Sequence, residues 1–229
     1  MTDVATPEFL SHLKALYPAP SSGGDNTWAF VAAVAFSASN LPEAVPLVFQ
    51  HAASSTTEDE DSLLLVRKMK DAVFKSGMLS GYPKAINALV ALHNTLPENL
   101  REKKPLRDLA MSTEALTKVG SELFDQTYGN TAKTVQSTIN DAYPDLWFFS
   151  AAFAYGYVYS CSEVLSLADT EFAMIAALIP MDTPRQIDWH LHGAIRNGAD
   201  ILEVKAVRQI TIEVAQLAGI KWKNEIPDI

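Results

Sequence analysis

Three helix starts follow one another in the second half of the chain, each written in the same chemistry. Ser166-Leu-Ala-Asp169, Thr183-Pro-Arg-Gln186 and Asp200-Ile-Leu-Glu203 all place a capping side chain three residues before one able to reach back to it. In such a capping box the first side chain accepts from a backbone N–H of the first turn, and the second accepts from the backbone N–H of the cap. Pro184 falls at the first helical position, where its missing N–H costs nothing. Stops follow at Pro180, at Asn197-Gly198 and near Gly219. A chain punctuated in this way must bury helix faces against one another.

The first half reads the same way, less sharply. Phe9, Leu13 and Leu16 mark an amphipathic helix that ends before Pro18 and Pro20. Ser21-Ser-Gly-Gly24 is a turn, after which Asp25 or Asn26 caps a helix, Trp28 to Phe36, that is apolar all round and so belongs in a core. A third helix starts at Asn40-Leu-Pro42, with Pro42 in its first turn, and runs to about Ala53. The polar stretch Ser54–Asp61 leads into a helix over Leu63–Lys75, and Pro83–Leu96 carries Ile86, Leu89, Val90 and Leu92. Alternating β-branched runs bounded by turns are missing, so the fold class is all-α. The most hydrophilic stretch, 97–110, divides the chain into halves 1–110 and 111–229. Both halves close a long helix on a small-Gly-bulky corner, Leu79-Ser-Gly-Tyr-Pro83 and Leu217-Ala-Gly-Ile-Lys221. Each corner belongs to a run of helices that also holds a histidine near alanines, at His51-Ala-Ala53 and His190-Leu-His-Gly-Ala194, which suggests duplication.

Charge and cysteine content remove several function classes. With 18 Lys+Arg against 27 Asp+Glu the formal charge is -9, and the only basic cluster, Arg101-Glu-Lys-Lys104, is interrupted by an acid. Such a surface repels phosphate backbones and anionic lipid, so neither nucleic acid nor a membrane is an expected partner. Cys161 is the sole cysteine, which excludes an intrachain disulfide, a Cys-x-x-Cys redox pair and a thiolate zinc cluster; it reads as a small buried residue. The uncharged run Leu146–Ser162 falls short of the ~20 apolar residues of a bilayer span and reads as a buried helix. The N-terminal residues lack a basic region followed by an apolar one, and Pro227-Asp228-Ile229 is not a peroxisomal tripeptide, so the expected compartment is the cytoplasm.

The chemistry concentrates on the helix Thr183–Asn197. Ile187, Leu191 and Ile195 define a buried stripe, His190 lies on its flank, half-buried, and Asp188, His192 and Arg196 share a polar face. His190 and His192 point about 200° apart on a helix and cannot share a metal, so none is expected. His192 reads as a solvated group between Asp188 and Arg196. A tight connection at Pro180–Thr183 would pack this helix antiparallel to the preceding one and bring Glu171 beside His190. From helix geometry alone the leading reading of Glu171 is still an acid placed to suit a helix N-terminus.

Leu165-Ser-Leu-Ala-Asp-Thr-Glu-Phe-Ala-Met-Ile-Ala-Ala-Leu178 followed by Gln186-Ile-Asp-Trp-His-Leu-His-Gly-Ala-Ile-Arg-Asn-Gly-Ala-Asp-Ile-Leu-Glu-Val204 resembles the carboxymuconolactone decarboxylase-like superfamily, which includes the alkylhydroperoxidase D-like proteins. Glu171 and His190 match its glutamate and histidine at the spacing of the pattern, and Tyr155-Gly156 matches a weaker upstream element. Thr170 stands where the superfamily prefers arginine and Phe172 where it prefers leucine. The resemblance implies an alkylhydroperoxidase D-like helical bundle of two tandem repeats, the first degenerate through Val66–Asn87 and the second bearing the motif. The cysteine pair of the thiol-redox members falls here on Thr183 and Gln186, so peroxide reduction through thiols is excluded.

What the resemblance then implies is cofactor-free acid–base chemistry on a small organic acid, lactone or polyketide-like compound, whether decarboxylation, isomerisation or ring closure. His190 would be the general acid–base group, Glu171 would orient it, and Trp189, Tyr155, Gln186 and Thr183 would wall the substrate pocket. No cofactor is implied, and self-association through apolar helices into a dimer, trimer or hexamer is. The alternative is a non-catalytic structural or interaction member, which the degenerate first half and the scattered Arg185, Arg196 and Arg208 would suit.

Overall fold

Helices account for all the regular structure of the described residues. The computed structural model describes residues 4–18, 26–54 and 59–229. Its first half holds α1 (Pro7–Leu16), α2 (Thr27–Ala38), α3 (Ala44–Ala53), α4 (Asp59–Ser80) and α5 (Tyr82–Thr95). After the loop at 97–110 come α6 (Thr113–Tyr128), α7 (Ala132–Ala142) and α8 (Pro144–Phe149), then a π-helix (Ser150–Tyr159). The chain ends with α9 (Leu167–Leu178), α10 (Pro184–Arg196) and α11 (Ile201–Leu217). The expected turn at 21–24, the alternative cap Asp25 and residues 55–58 of the polar connector lie outside the described residues.

The all-apolar helix is the axis of the molecule. Every residue of α2 is buried, and α3, α4, α5, α9 and α11 pack around it. One core therefore runs from Ala5 to Val214 through both halves of the chain. A second apolar cluster, built on Phe124, Tyr128, Tyr155, Tyr159 and Met174, lies between α6, the π-helix and the far face of α9. The helix α9 is sandwiched between the two, which is why all its residues from Thr170 to Leu178 are buried, charge included.

Two of the three capping boxes form as read. Ser166 Oγ accepts from Asp169 N at 3.0 Å while Asp169 Oδ2 accepts from Ser166 N at 3.1 Å. Asp200 and Glu203 make the corresponding exchange at the start of α11. Thr183 does not: its hydroxyl turns back to donate to Leu178 O at 3.3 Å. A carbonyl left over at the end of α9 outcompetes the first turn of α10 for that hydroxyl, because the link between the two helices is so short. Asn26 likewise precedes α2 without a side-chain cap, and Pro42 sits in a turn two residues before α3 rather than inside it.

Other departures come from tertiary packing. The inward face of α5 is Ala85, Ala88 and Leu92, whereas Ile86 and Val90 are exposed. In α10 Ala194, not Ile195, completes the buried stripe, since seven residues make nearly two whole turns and eight overshoot. The run Leu146–Ser162 is not one buried helix. Leu146, Phe148 and Phe149 of α8 are exposed, as is Phe153 of the π-helix, whose ring meets both phenylalanines of α8, an apolar face of the kind that marks an interaction surface. The second part of the run winds as a π-helix, and that wider turn lets Gly156 lie against Gly120 of α6. A Cβ at Gly120 would stand 1.9 Å from Ala151 O, so only glycine permits this crossing. Among the described residues no helix is long and apolar enough to cross a membrane.

Candidate functional site

Glu171 and His190 meet where α9 and α10 run antiparallel. His190 Nδ1 lies 2.8 Å from Glu171 Oε2, and both side chains are almost wholly buried. His190 is thus more deeply enclosed than a flanking position suggests, because α6 covers the side of α10 that the sequence leaves open. The other carboxylate oxygen accepts from Thr127 Oγ1 at 3.2 Å and from Asn197 Nδ2 at 3.3 Å. Asn197 Nδ2 also donates to Thr127 Oγ1 at 3.0 Å, and Arg196 Nη1 donates to Thr127 O at 2.8 Å. Three helices hold this carboxylate, and its partners leave the imidazole one role at Nδ1, that of donor. Nε2 is left as the nitrogen available to the space His190 lines.

That space is a cavity of about 240 Å³. Phe124 and Tyr128 of α6 form one wall, Tyr155 and Tyr159 of the π-helix another, and Met174 of α9 with Gln186 and His190 of α10 the third. Leu146 and Phe149 stand at its edge. Tyr155 Oη donates to Tyr128 Oη at 3.2 Å, and the Tyr128 ring stands edge-on to His190 with centroids 5.9 Å apart. Burial pushes the Tyr128 hydroxyl up to about 12, against a smaller lowering by the Tyr155 hydrogen bond, with the Glu171 charge adding to the rise. The same burial, with neighbouring hydroxyls and Glu171, pushes Tyr155 and Tyr159 well upward. All three are neutral donors at physiological pH.

The residues read from the sequence divide between the cavity and its surroundings. Tyr155, Gln186 and His190 line it. Trp189 does not: it lies edge-on to Tyr128 at 5.4 Å, with the Arg185 guanidinium 5.1 Å over its ring. Thr183 is spent on Leu178 O, outside the lining. His192 is half-exposed and lies 2.9 Å from Asp188 O, while Arg196 has left that polar face for Thr127 O. Cys161 is partly exposed at the edge of a separate cavity of about 350 Å³ that reaches neither His190 nor Glu171. Among the described residues no group of three or more His, Cys, Asp or Glu could hold a metal ion.

Thr127, Tyr128 and Tyr159 are the additions. Asn197, read only as a helix stop, is one too. Nothing periodic announces Thr127 or Tyr128, which end α6 just before Gly129. The recurrence of tyrosine at 155 and 159 in an uncharged run is a signal, since residues four apart share a helix face.

No family model matches the chain. Peroxisomal protein 2 of Saccharomyces cerevisiae is 27% identical over an alignment 259 positions long, gaps included, that covers 88% of this chain and 92% of that protein. Peroxisomal protein 2 of Schizosaccharomyces pombe is 30% identical over 199, covering 86% and 89%.

Proposed function

The chain belongs to the family of peroxisomal protein 2, and on that premise we propose that it is a cofactor-independent acid–base catalyst of the carboxymuconolactone decarboxylase-like kind, in which His190 moves a proton at a carbon conjugated to a carbonyl. The observation that carries the proposal is the buried 2.8 Å contact between His190 and Glu171 at the wall of a tyrosine-lined cavity. A buried imidazole with a carboxylate behind one nitrogen and free space before the other has the parts of a general base. His190 Nε2 takes the C–H proton, and the C–H electron pair moves into the carbonyl as an enolate whose oxygen accepts from a tyrosine hydroxyl. Glu171 balances the imidazolium, which in an isomerisation returns the proton to another carbon; in a ring closure the enolate carbon instead bonds to a second carbonyl carbon of the same molecule, whose C=O pair moves to oxygen, and the imidazolium protonates that alkoxide. In the decarboxylating version His190 enters the cycle as imidazolium with a proton taken from water, the C–C bond to a carboxylate breaks, its pair enters the carbonyl, CO2 leaves and the imidazolium gives that proton to the carbon.

Self-association is supported by the exposed face of Leu146, Phe148, Phe149 and Phe153. The relatives' name favours the peroxisome as compartment over the cytoplasm expected from sequence.

The reaction is tested without knowing the substrate. Purified protein is incubated in deuterated water with a small-molecule extract of the cells that express it, and compounds that gain deuterium at carbon are found by mass spectrometry. At least one compound is expected to label with the wild type, and its labelling rate to fall about 10²–10⁴-fold with His190→Gln, which keeps a donor for Glu171. Labelling that is the same in both proteins, or absent from both, rules the reading out.

A further inference from the structure

Among the described residues that line the cavity beside His190 there is no lysine, arginine, aspartate or glutamate. Its polar groups among them are His190, Gln186, Ser150 and three tyrosines, and behind His190 stands the Glu171 carboxylate, 2.8 Å from Nδ1. We propose that the ligand of this cavity is an uncharged, flat carbonyl compound of one or two rings, its oxygen held by the Tyr128–Tyr155 hydroxyl pair, and not a carboxylic acid. The proposal deepens the acid–base reading of the same site and rests on it.

Charge decides against an acid. A carboxylate drawn into an apolar cavity loses its hydration and needs a cation or several donors in return. Here it would find no cation and would approach Glu171, a charge of its own sign. Protonated His190 would be a counter-ion, but an imidazole held as imidazolium by its substrate could no longer accept a proton. A neutral carbonyl meets none of these obstacles. Tyr155 already donates to Tyr128, so the Tyr128 proton is left to donate onward, strengthened by the donor behind it. Because the tyrosines resist ionisation, they supply that proton across the whole physiological range. As an enolate forms, the same hydrogen bond becomes charge-assisted, which favours the transition state over the ground state.

Size and shape narrow the class. About 240 Å³ falls just below the usual size of ligand cavities, roughly 300–1,000 Å³, and so admits only a small guest. Phe124 stacks on Tyr128 at 4.2 Å and meets Tyr155 edge-on at 5.1 Å, which walls the space with ring faces and edges suited to a planar guest. Among the reactions open to the site, a ligand without a carboxylate selects isomerisation or ring closure over decarboxylation.

The experiment uses a pair of probes matched in shape, 2-acetylnaphthalene and 2-naphthoate, titrated calorimetrically into the full chain at neutral pH. The ketone is expected to bind and naphthoate to bind at least about tenfold more weakly. Tyr128→Phe, which keeps the ring, is expected to weaken the ketone about tenfold and leave the melting curve cooperative. Gln186→Arg, which puts a cation on the wall, is expected to raise naphthoate affinity above that of the wild type. Naphthoate binding as well as the ketone, neither probe binding, or a Tyr128→Phe variant with unchanged ketone affinity would each overturn the proposal. Binding is read apart from turnover: preference for the ketone retained in His190→Gln upholds the ligand class even where the deuterium experiment fails. Preference for naphthoate beside His190-dependent labelling would leave the reaction standing and remove the ligand class.

Discussion

Gly193 shows how little room the central pair has. A Cβ there would lie 3.0 Å from Thr127 Cγ2 and 3.1 Å from Glu171 Oε2, tighter than side chains ordinarily tolerate. Neither neighbour is free to yield, because Thr127 and Glu171 bond each other and Asn197 bonds both. Gly193, three residues after His190, thus has a physical role, since its bare Cα lets α10 come close enough for a carboxylate of α9 to reach His190. Gly193→Ala is expected to cost about 1–3 kcal/mol of stability, the usual range for overpacking. It should also slow His190-dependent deuterium labelling by more than that loss of folded protein explains. Urea denaturation and the labelling rate, measured on the same preparation, check both parts. A variant as stable and as active as the wild type would show that Glu171 does not depend on that close approach.

At the scale of elements, what the sequence made legible is what depends on near neighbours. Capping boxes at Ser166 and Asp200 join residues three apart, so they can be read directly, and the antiparallel pairing of α9 with α10 follows from the short link between them. The cap read at Thr183 fails because a carbonyl from the preceding helix competes, and no local pattern records that competition. The cavity wall is harder still. Tyr128 and Tyr155 are 27 residues apart and meet only because α6 and the π-helix cross at Gly120 and Gly156. The far end of the π-helix raises a similar problem, since its last carbonyls need donors from elsewhere. Arg107 donates to Tyr157 O and Val158 O, and Lys75, wholly buried on α4, donates to Cys161 O and to Thr170 Oγ1. One acid, Asp71, serves both cations, at 2.7 Å from Arg107 and 3.3 Å from Lys75. Burial lowers the Lys75 ammonium, and the Arg107 charge lowers it further against the pull of Asp71. This arithmetic of charge predicts an asymmetry. Asp71→Ala removes the acid that pairs with both buried Lys75 and partly buried Arg107 and is expected to cost about 3–5 kcal/mol. Lys75→Met leaves a balanced Asp71–Arg107 pair and loses the longer ion pair with Asp71 and two hydrogen bonds, about 1–3 kcal/mol. Urea midpoints that placed Lys75→Met below Asp71→Ala would mean that the hydrogen bonds of Lys75, not the charge of Asp71, hold this end of the π-helix.

For the whole molecule, the neutral tyrosine cluster sets how the fold responds to alkali. In the unfolded chain a tyrosine loses its proton near pH ~10. In the folded chain Tyr128 holds its proton to about 12, and Tyr155 and Tyr159 are also raised, chiefly because burial penalises the phenolate. A group whose folded value is raised gives stability that is complete below its unfolded value and drains away as pH climbs towards the folded one. Lys70 and Lys75 act with the opposite sign: their folded values are lowered, mainly by burial, so stability recovers as pH rises towards the ordinary lysine value of 10.5. That recovery is finished just where the tyrosine loss sets in, so above about pH 10.5 only the loss remains. Three tyrosines at roughly 1.4 kcal/mol per pH unit each give a fall of about 4 kcal/mol per unit. Urea unfolding followed from neutral pH to the alkaline limit is expected to trace this decline, with tyrosinate absorbance of the three appearing only as the chain unfolds. Tyr159→Phe, which removes one of the three protons and keeps the ring, is expected to reduce the slope by about a third. If the slope stays the same in that variant, the alkaline limit lies in other groups, and the hydroxyls beside His190 are not the protonated donors that the proposed chemistry needs.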